Sequence, residues 1–191
     1  MTRASTLTAL LPAWLVARPL PETLTTDEER MALVHELADA NWRAGNGGPF
    51  AAIVVETATG RLVSAGVNVV LSSGLSSMHA EVVALSLAQT ETASWDLSAD
   101  ASLELVVNWR PCAMCYGATI WSGVRRLVIA GSGPECEELT GFDEGPMRDD
   151  WREQLELRGI TVTTDMLREG ALRTFAEYGG SASTVYNARR A

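Results

Sequence analysis

The run Leu103-Glu-Leu-Val-Val-Asn108, followed by Trp109-Arg-Pro111-Cys112-Ala-Met-Cys115, decides how the chain is read. Its first part is a short, almost continuous apolar run, which predicts a buried strand. Pro111 then predicts the opening of a helix that runs to about Trp121, because proline fits a first helical turn, where its missing N–H has no partner to lose. Cys112 and Cys115, three apart at that helix start, place both sulfurs on one side. The positive end of the helix favours their thiolate forms.

Working outward from this strand–helix unit, the same alternation repeats. Thr26-Asp-Glu-Glu29 reads as a capping box, with a helix behind it that puts Met31, Val34, Leu37, Ala38 and Trp42 on one face. Two strand-like runs follow, Phe50–Glu56 and Leu62–Val70, joined by a turn around Thr59-Gly60. A Ser/Gly loop at 72–77 leads into a helix over Met78–Gln89. Beyond the central unit come a strand at Arg126–Ala130, a helix around Asp149–Leu157, a short strand at Ile160–Thr163 and a last helix at Leu167–Tyr178. A hairpin followed by alternating strands and helices predicts an α/β class fold: a three-layer α/β/α sandwich on a mixed sheet of about five strands. Residues 1–22, with Pro12 and Pro19 and no clear period, read as an irregular N-terminal arm. Residues 23–191 read as one domain ending in a polar tail.

Composition bounds the function. At 191 residues, 47% apolar and 20% charged, the chain suits a single packed domain. With 15 Lys+Arg against 24 Asp+Glu, the formal net charge is -9. That is the wrong sign for a protein whose business is polyphosphate, which weighs against a nucleic-acid partner and for a free base or nucleoside. Arg125-Arg126 and Arg189-Arg190 are the adjacent basic pairs, and they read as solvated surface. No stretch has the length of a membrane span, and Leu7–Leu20 is a poor signal peptide, so the expected location is the cytoplasm. Three cysteines do not make a disulfide framework; Cys136 reads as an incidental thiol and His35 as structural.

The chemistry lies in His79-Ala-Glu81 taken together with Cys112 and Cys115. Two thiolates and one imidazole make three zinc ligands and leave a fourth position for water, as catalytic zinc sites do. Two thiolates neutralise the ion, so the water needs a proton acceptor, and Glu81 lies two residues from the ligand on the same opening turn. The order and spacing match the H-x-E…P-C-x-x-C pattern of zinc base deaminases, in which the glutamate carries a proton and is not a ligand. One Zn2+ per subunit is expected.

With those residues in view, the chain resembles the cytidine deaminase superfamily and, within it, the bacterial guanine deaminases. The resemblance runs from about Met31 onward, through Gly47-Gly-Pro-Phe50, Gly66-Val-Asn68, His79-Ala-Glu81, Pro111–Cys115 with Gly117-Ala118, and Ile120-Trp121. Its most discriminating part is Gly141-Phe-Asp-Glu144, and Tyr186-Asn-Ala-Arg189 resembles the tail of guanine deaminases that include ammeline among their substrates. It implies hydrolytic attack at the ring carbon bearing the amine, C2 of guanine, with Glu81 and Glu144 as the two proton carriers. It implies further that Phe50 and His79 sandwich the base, that Asn68 bonds its polar edge, and that Ala80, Trp121, Phe142 and Tyr186 line the pocket. A homodimer is implied, in which the C-terminal tail closes the site, in some relatives that of the neighbouring subunit. Arg110 departs from the pattern, standing where these enzymes usually carry Glu, and Asn108-Trp109 are unusual beside it. The same chemistry on ammeline, cytosine, guanosine or a pterin is the nearest rival, followed by a tRNA-editing adenosine deaminase and a non-catalytic zinc or redox module.

Overall fold

The computed structural model describes residues 3–99 and 102–188. Arg189 and Arg190, in the basic pair and the tail motif, lie outside the described residues. The elements are α1 Ala13–Val16, α2 Asp27–Arg43, β1 Ala51–Glu56, β2 Leu62–Val67, α3 Val70–Ser73, α4 Ala80–Glu91, β3 Leu103–Val107, α5 Ala113–Ser122, β4 Arg126–Ile129, α6 Glu135–Thr140, α7 Trp151–Glu156, β5 Thr161–Thr163 and α8 Arg168–Gly179. The strands form one sheet in the order β2-β1-β3-β4-β5. β1 is antiparallel to both β2 and β3, whereas β3, β4 and β5 run parallel. The expected mixed five-stranded sandwich is therefore the fold.

Both faces of the sheet are covered, which is why β1 and β3 read as continuous apolar runs and not as alternating ones. Ile53 and Val55 of β1, with Val106 of β3 and Val128 of β4, face one core with Met31, Val34 and Leu37 of α2 and Phe175 of α8. Ala52 and Val54, Leu105 and Leu127 face the other core with Ala84, Leu85 and Ala88 of α4 and Leu155 of α7. The capping box at Thr26 is formed, with the Thr26 hydroxyl accepting from the Glu29 N–H at 3.1 Å and the Glu29 carboxylate accepting from the Thr26 N–H at 3.0 Å.

One carboxylate is wholly enclosed between the sheet and α2. Glu104 of β3 is fully buried and accepts from Arg30 at 2.8 Å and from Arg126 at 3.0 Å. Asp27 completes the cluster by pairing with both arginines, and Arg126 with Thr163 Oγ1 ties it to β5. An unpaired carboxylate there would cost several kcal/mol, so the two arginines are its condition. The arrangement pins α2 across the edges of β3, β4 and β5.

Three short helices escaped the periodicity. α1 interrupts the N-terminal arm, which does not float free, since Leu15 is buried and Leu11, Trp14 and Leu20 pack on the same core. α3 and α6 end at Gly74 and Gly141, both at positive φ. Each spans four to six residues, too few for a repeat of 3.6 to show itself. No helix among the described residues is long and apolar enough to cross a membrane.

Candidate active site

The site is built where two helices begin. His79 is the N-cap of α4 and Cys112 the N-cap of α5, both in extended backbone just before the first turn. α4 packs on α5 and on β2. Its approach to the sheet depends on Gly66, where a Cβ would meet the Ala84 N at 2.5 Å and the Ala80 O at 2.6 Å. A glycine at that point of β2 sets how deep the His79–Glu81 turn can sit.

The ligand atoms of His79, Cys112 and Cys115 lie within 4.8 Å of one another. His79 Nδ1 is 3.6 Å from Cys112 Sγ. Tetrahedral zinc with ordinary Zn–S and Zn–N bonds needs a sulfur-to-nitrogen edge of about 3.6 Å, so these residues fit the ion. Cys115 is fully buried and Cys112 nearly so. The hydrogen bond from Cys115, with that to His79 and the His79 charge, holds the Cys112 thiol down to about 4, while the same bond and burial push Cys115 up.

Two carboxyl groups face this set. Glu81, in the first turn of α4, is 6% exposed, and burial followed by the Cys112 charge raises its pKa. Glu144 is pushed up to about 8, first by burial and then by the charges of Cys112 and Glu81. It sits in an irregular stretch after α6, where its C=O accepts from Ala113 N–H at 3.0 Å and its N–H donates to Glu137 Oε1 at 3.1 Å. The backbone of α5's first residue thus fixes Glu144 beside the cysteines.

A cleft of about 270 Å³ opens here, lined by Phe50, His79, Phe142, Glu144 and Tyr186. The Phe50 and Phe142 rings are 5.6 Å apart and the Phe142 and Tyr186 rings 4.7 Å apart. Asn68 is fully buried behind this wall. Its Oδ1 accepts from Val70 N–H at 3.2 Å and from Gly48 N–H at 3.4 Å, and its Nδ2 has no hydrogen-bond partner. A buried amide donor without a partner is costly and calls for an acceptor on whatever enters. Tyr186 Oη accepts from Gly48 N–H at 3.2 Å. A Cβ on Gly48 would lie 2.7 Å from that oxygen, so the glycine is what lets the tail come down.

Of the residues the sequence singled out, His79, Glu81, Cys112, Cys115, Phe50, Phe142, Glu144 and Tyr186 come together. Ala80 is buried in the first turn between His79 and Glu81, packed against the sheet side of α4. Trp121 does not join them: it is 80% exposed at the far end of α5, two turns beyond the cysteines, and lines no part of the cleft in this chain. The helical repeat carries it to the outer face of α5, away from this chain's own cleft. Arg110 also lies off the cleft, its Nε buried without a hydrogen-bond partner.

Two further amides shape the site, one of them noted in the sequence only as unusual beside Arg110. Asn108 is fully buried at the end of β3; its Oδ1 accepts from Ala51 N–H at 3.2 Å and its Nδ2 donates to Pro49 O at 2.9 Å, gripping the backbone on both sides of Phe50. Asn41 donates to Gly48 O at 3.1 Å and to Asn68 O at 2.8 Å. Their spacing in sequence is unremarkable, and only the fold gives these amides their partners.

A family model described as the cytidine and deoxycytidylate deaminase zinc-binding region matches residues 24–131. A solved guanine deaminase from Nitrosomonas europaea is 46% identical over 95% of this chain and 100% of its own, with a TM-score of 0.88. A solved structure in complex with 2,6-diaminopurine is 48% identical over 97% of this chain and 98% of that one, also with a TM-score of 0.88. A probable cytosine deaminase of Schizosaccharomyces pombe is 34% identical over 115 residues, which is 59% of this chain and 67% of that protein.

Proposed function

Because the chain belongs to the cytidine and deoxycytidylate deaminase family, we propose that it hydrolyses guanine to xanthine and ammonia. It is a zinc-dependent aminohydrolase. The observation that carries the choice of guanine is the match to the Nitrosomonas enzyme over 95% of this chain and 100% of that one. The 2,6-diaminopurine bound in the other solved structure, a purine with an amine at C2, supports the same class of substrate.

His79, Cys112 and Cys115 hold the ion, which when bound supplies Lewis acidity and brings the pKa of water down to near neutral. Glu81 takes a proton from the attacking water and passes it to the ring nitrogen next to C2. Glu144 keeps its proton near neutral pH, its pKa being pushed up to about 8, and gives it to the departing amine; the proton that the C2 hydroxyl loses as the carbonyl forms restores it. Phe50 and His79 hold the ring from its two faces, and Asn68 Nδ2 donates to an acceptor on the base edge. Phe142 and Tyr186 close the cleft against water. Ala80 contributes the wall between His79 and Glu81, and Trp121 is assigned to another surface.

That surface is the outer face of α5. Met114, Gly117 and Trp121 recur there at helical spacing, with Met114 40% and Trp121 80% exposed. An apolar stripe of this kind asks for a partner, and we assign it to the interface of a homodimer. Sedimentation should find a dimer that Trp121→Glu converts to monomer; a monomeric wild-type protein would remove the assignment. Residues 1–22 serve as an arm and residues 23–191 as the catalytic domain. Free thiols at Cys112, Cys115 and Cys136 and the net charge of -9 fit a cytoplasmic enzyme of purine metabolism that binds no nucleic acid.

The test is ammonia release by zinc-loaded protein from guanine, guanosine, ammeline, cytosine, cytidine, adenine and a pterin. Guanine is expected to lead the panel by at least tenfold in kcat/KM. If another base leads, the substrate is that base and guanine is withdrawn.

A further inference from the structure

Glu144 has no helix or strand beneath it. The stretch from Gly141 to Pro146 is irregular, between the end of α6 and the turn before α7. Such a loop holds a side chain to catalytic tolerance only if its backbone is tied down from outside. Part of that anchorage is local: Thr140 Oγ1 accepts from Phe142 N–H at 3.2 Å, and Asp143 Oδ1 accepts from Gly145 N–H at 2.9 Å. Glu144 itself is tied through its C=O, which accepts from Ala113 N–H, and its N–H, which donates to Glu137 Oε1, while the residues just before it are tied by the C-terminal tail. Asn187 Oδ1 accepts from Asp143 N–H at 3.0 Å, and Asn187 Nδ2 donates to Gly141 O at 2.8 Å. One side-chain amide therefore closes on a C=O and an N–H two residues apart. The pair fixes the amide's orientation, because the opposite flip would set donor against donor and acceptor against acceptor.

The residue type follows from this geometry. Aspartate has the same reach but offers acceptors alone when ionised, and alanine offers nothing. The tail is itself held down at several points. Tyr178 Oη donates to Thr184 O, Tyr186 Oη accepts from Gly48 N–H, and the Phe142 ring lies against both Tyr178 and Tyr186. Loop and tail form one packed unit, with Asn187 as its polar fastening.

We propose that Asn187 is a positioning residue, which places Glu144 by clasping the loop that carries it, so that seating the tail and completing the proton-transfer machinery are a single event. The inference rests on the reading of Glu144 as a proton carrier. It assigns the tail a part in the chemical step besides that of a cover. A tail that only excluded water or retained the base would show itself in KM; a tail that sets a carboxyl group shows itself in kcat.

The test compares zinc-loaded wild type, Asn187→Ala and Asn187→Asp by two readouts. Steady-state kinetics on the base that wild type turns over fastest should show kcat lowered by about 10- to 100-fold in Asn187→Ala, with KM changed less than about threefold. Asn187→Asp, which keeps the acceptor for Asp143 N–H and loses the donor, should fall between the two. Hydrogen exchange of the Asp143 and Glu144 amides, which needs no substrate, should accelerate in Asn187→Ala while the amides of β3 stay protected. Unchanged exchange at those two amides, or a rise in KM with kcat intact, overturns the proposal. If wild type fails on guanine while the exchange result holds, the substrate reading falls and the clasp stands.

Discussion

Glu81→Gln is expected to lower kcat by about three to four orders of magnitude while the protein keeps its zinc. Glutamine has nearly the volume of glutamate and can occupy the same buried place in the first turn of α4. It cannot accept the water's proton and carry it to the ring. The site offers a poor replacement, because Glu144 is pushed up to about 8 and holds its proton near neutrality. It is suited to giving a proton and not to taking one. Zinc content by elemental analysis and turnover on the preferred base decide the matter together. Loss of metal from Glu81→Gln would mean that the carboxylate supports the ion; activity within tenfold of wild type would place the base elsewhere.

Removing the ion should abolish turnover and lower the thermal midpoint together. At free zinc of 100 to 1,000 times Kd, the ion stabilises a folded chain by about 3–4 kcal/mol. For a chain of this length each kcal/mol corresponds to roughly 2–4 °C, so chelation should lower the midpoint by about 5–15 °C and added zinc should restore it. Cys115→Ala removes the most deeply buried of the three ligands. It should leave a folded protein whose midpoint no longer responds to zinc and which releases no ammonia. A zinc-responsive midpoint in that variant would show that the ion sits on a different set of residues. The thermal readout separates metal binding from catalysis, because Glu81→Gln should keep the zinc response and lose only the turnover.

Both predictions stand on residues that the sequence brings forward unaided. Cys112 and Cys115 three apart behind a proline, and His79 two before Glu81, are local patterns, and each lies within one helical turn. Trp121 shows the limit of such reading. It follows the cysteines on the same helix, yet six residues along α5 from Cys115 the helix has turned it outward. Asn68 was marked by its motif, but the buried, unpartnered Nδ2 that gives it a purpose follows from the meeting of its Oδ1 with Val70 and Gly48.

Local sequence suffices for the alternation of strands and helices, the capping box at Thr26, the zinc ligands and the carboxyl group beside them. Those features arise from interactions spanning a few residues, in which hydrophobic period, capping and turn chemistry act. The tertiary structure alone decided the strand order β2-β1-β3-β4-β5, the burial of Glu104 between Arg30 and Arg126, and the grip of Asn108 on the backbone around Phe50. It also decided the clasp of Asn187 on residues 44 and 46 positions away. A buried amide or carboxylate takes its meaning from the partner that desolvation forces on it, and that partner is chosen by packing across the sheet, where separation along the chain carries no information.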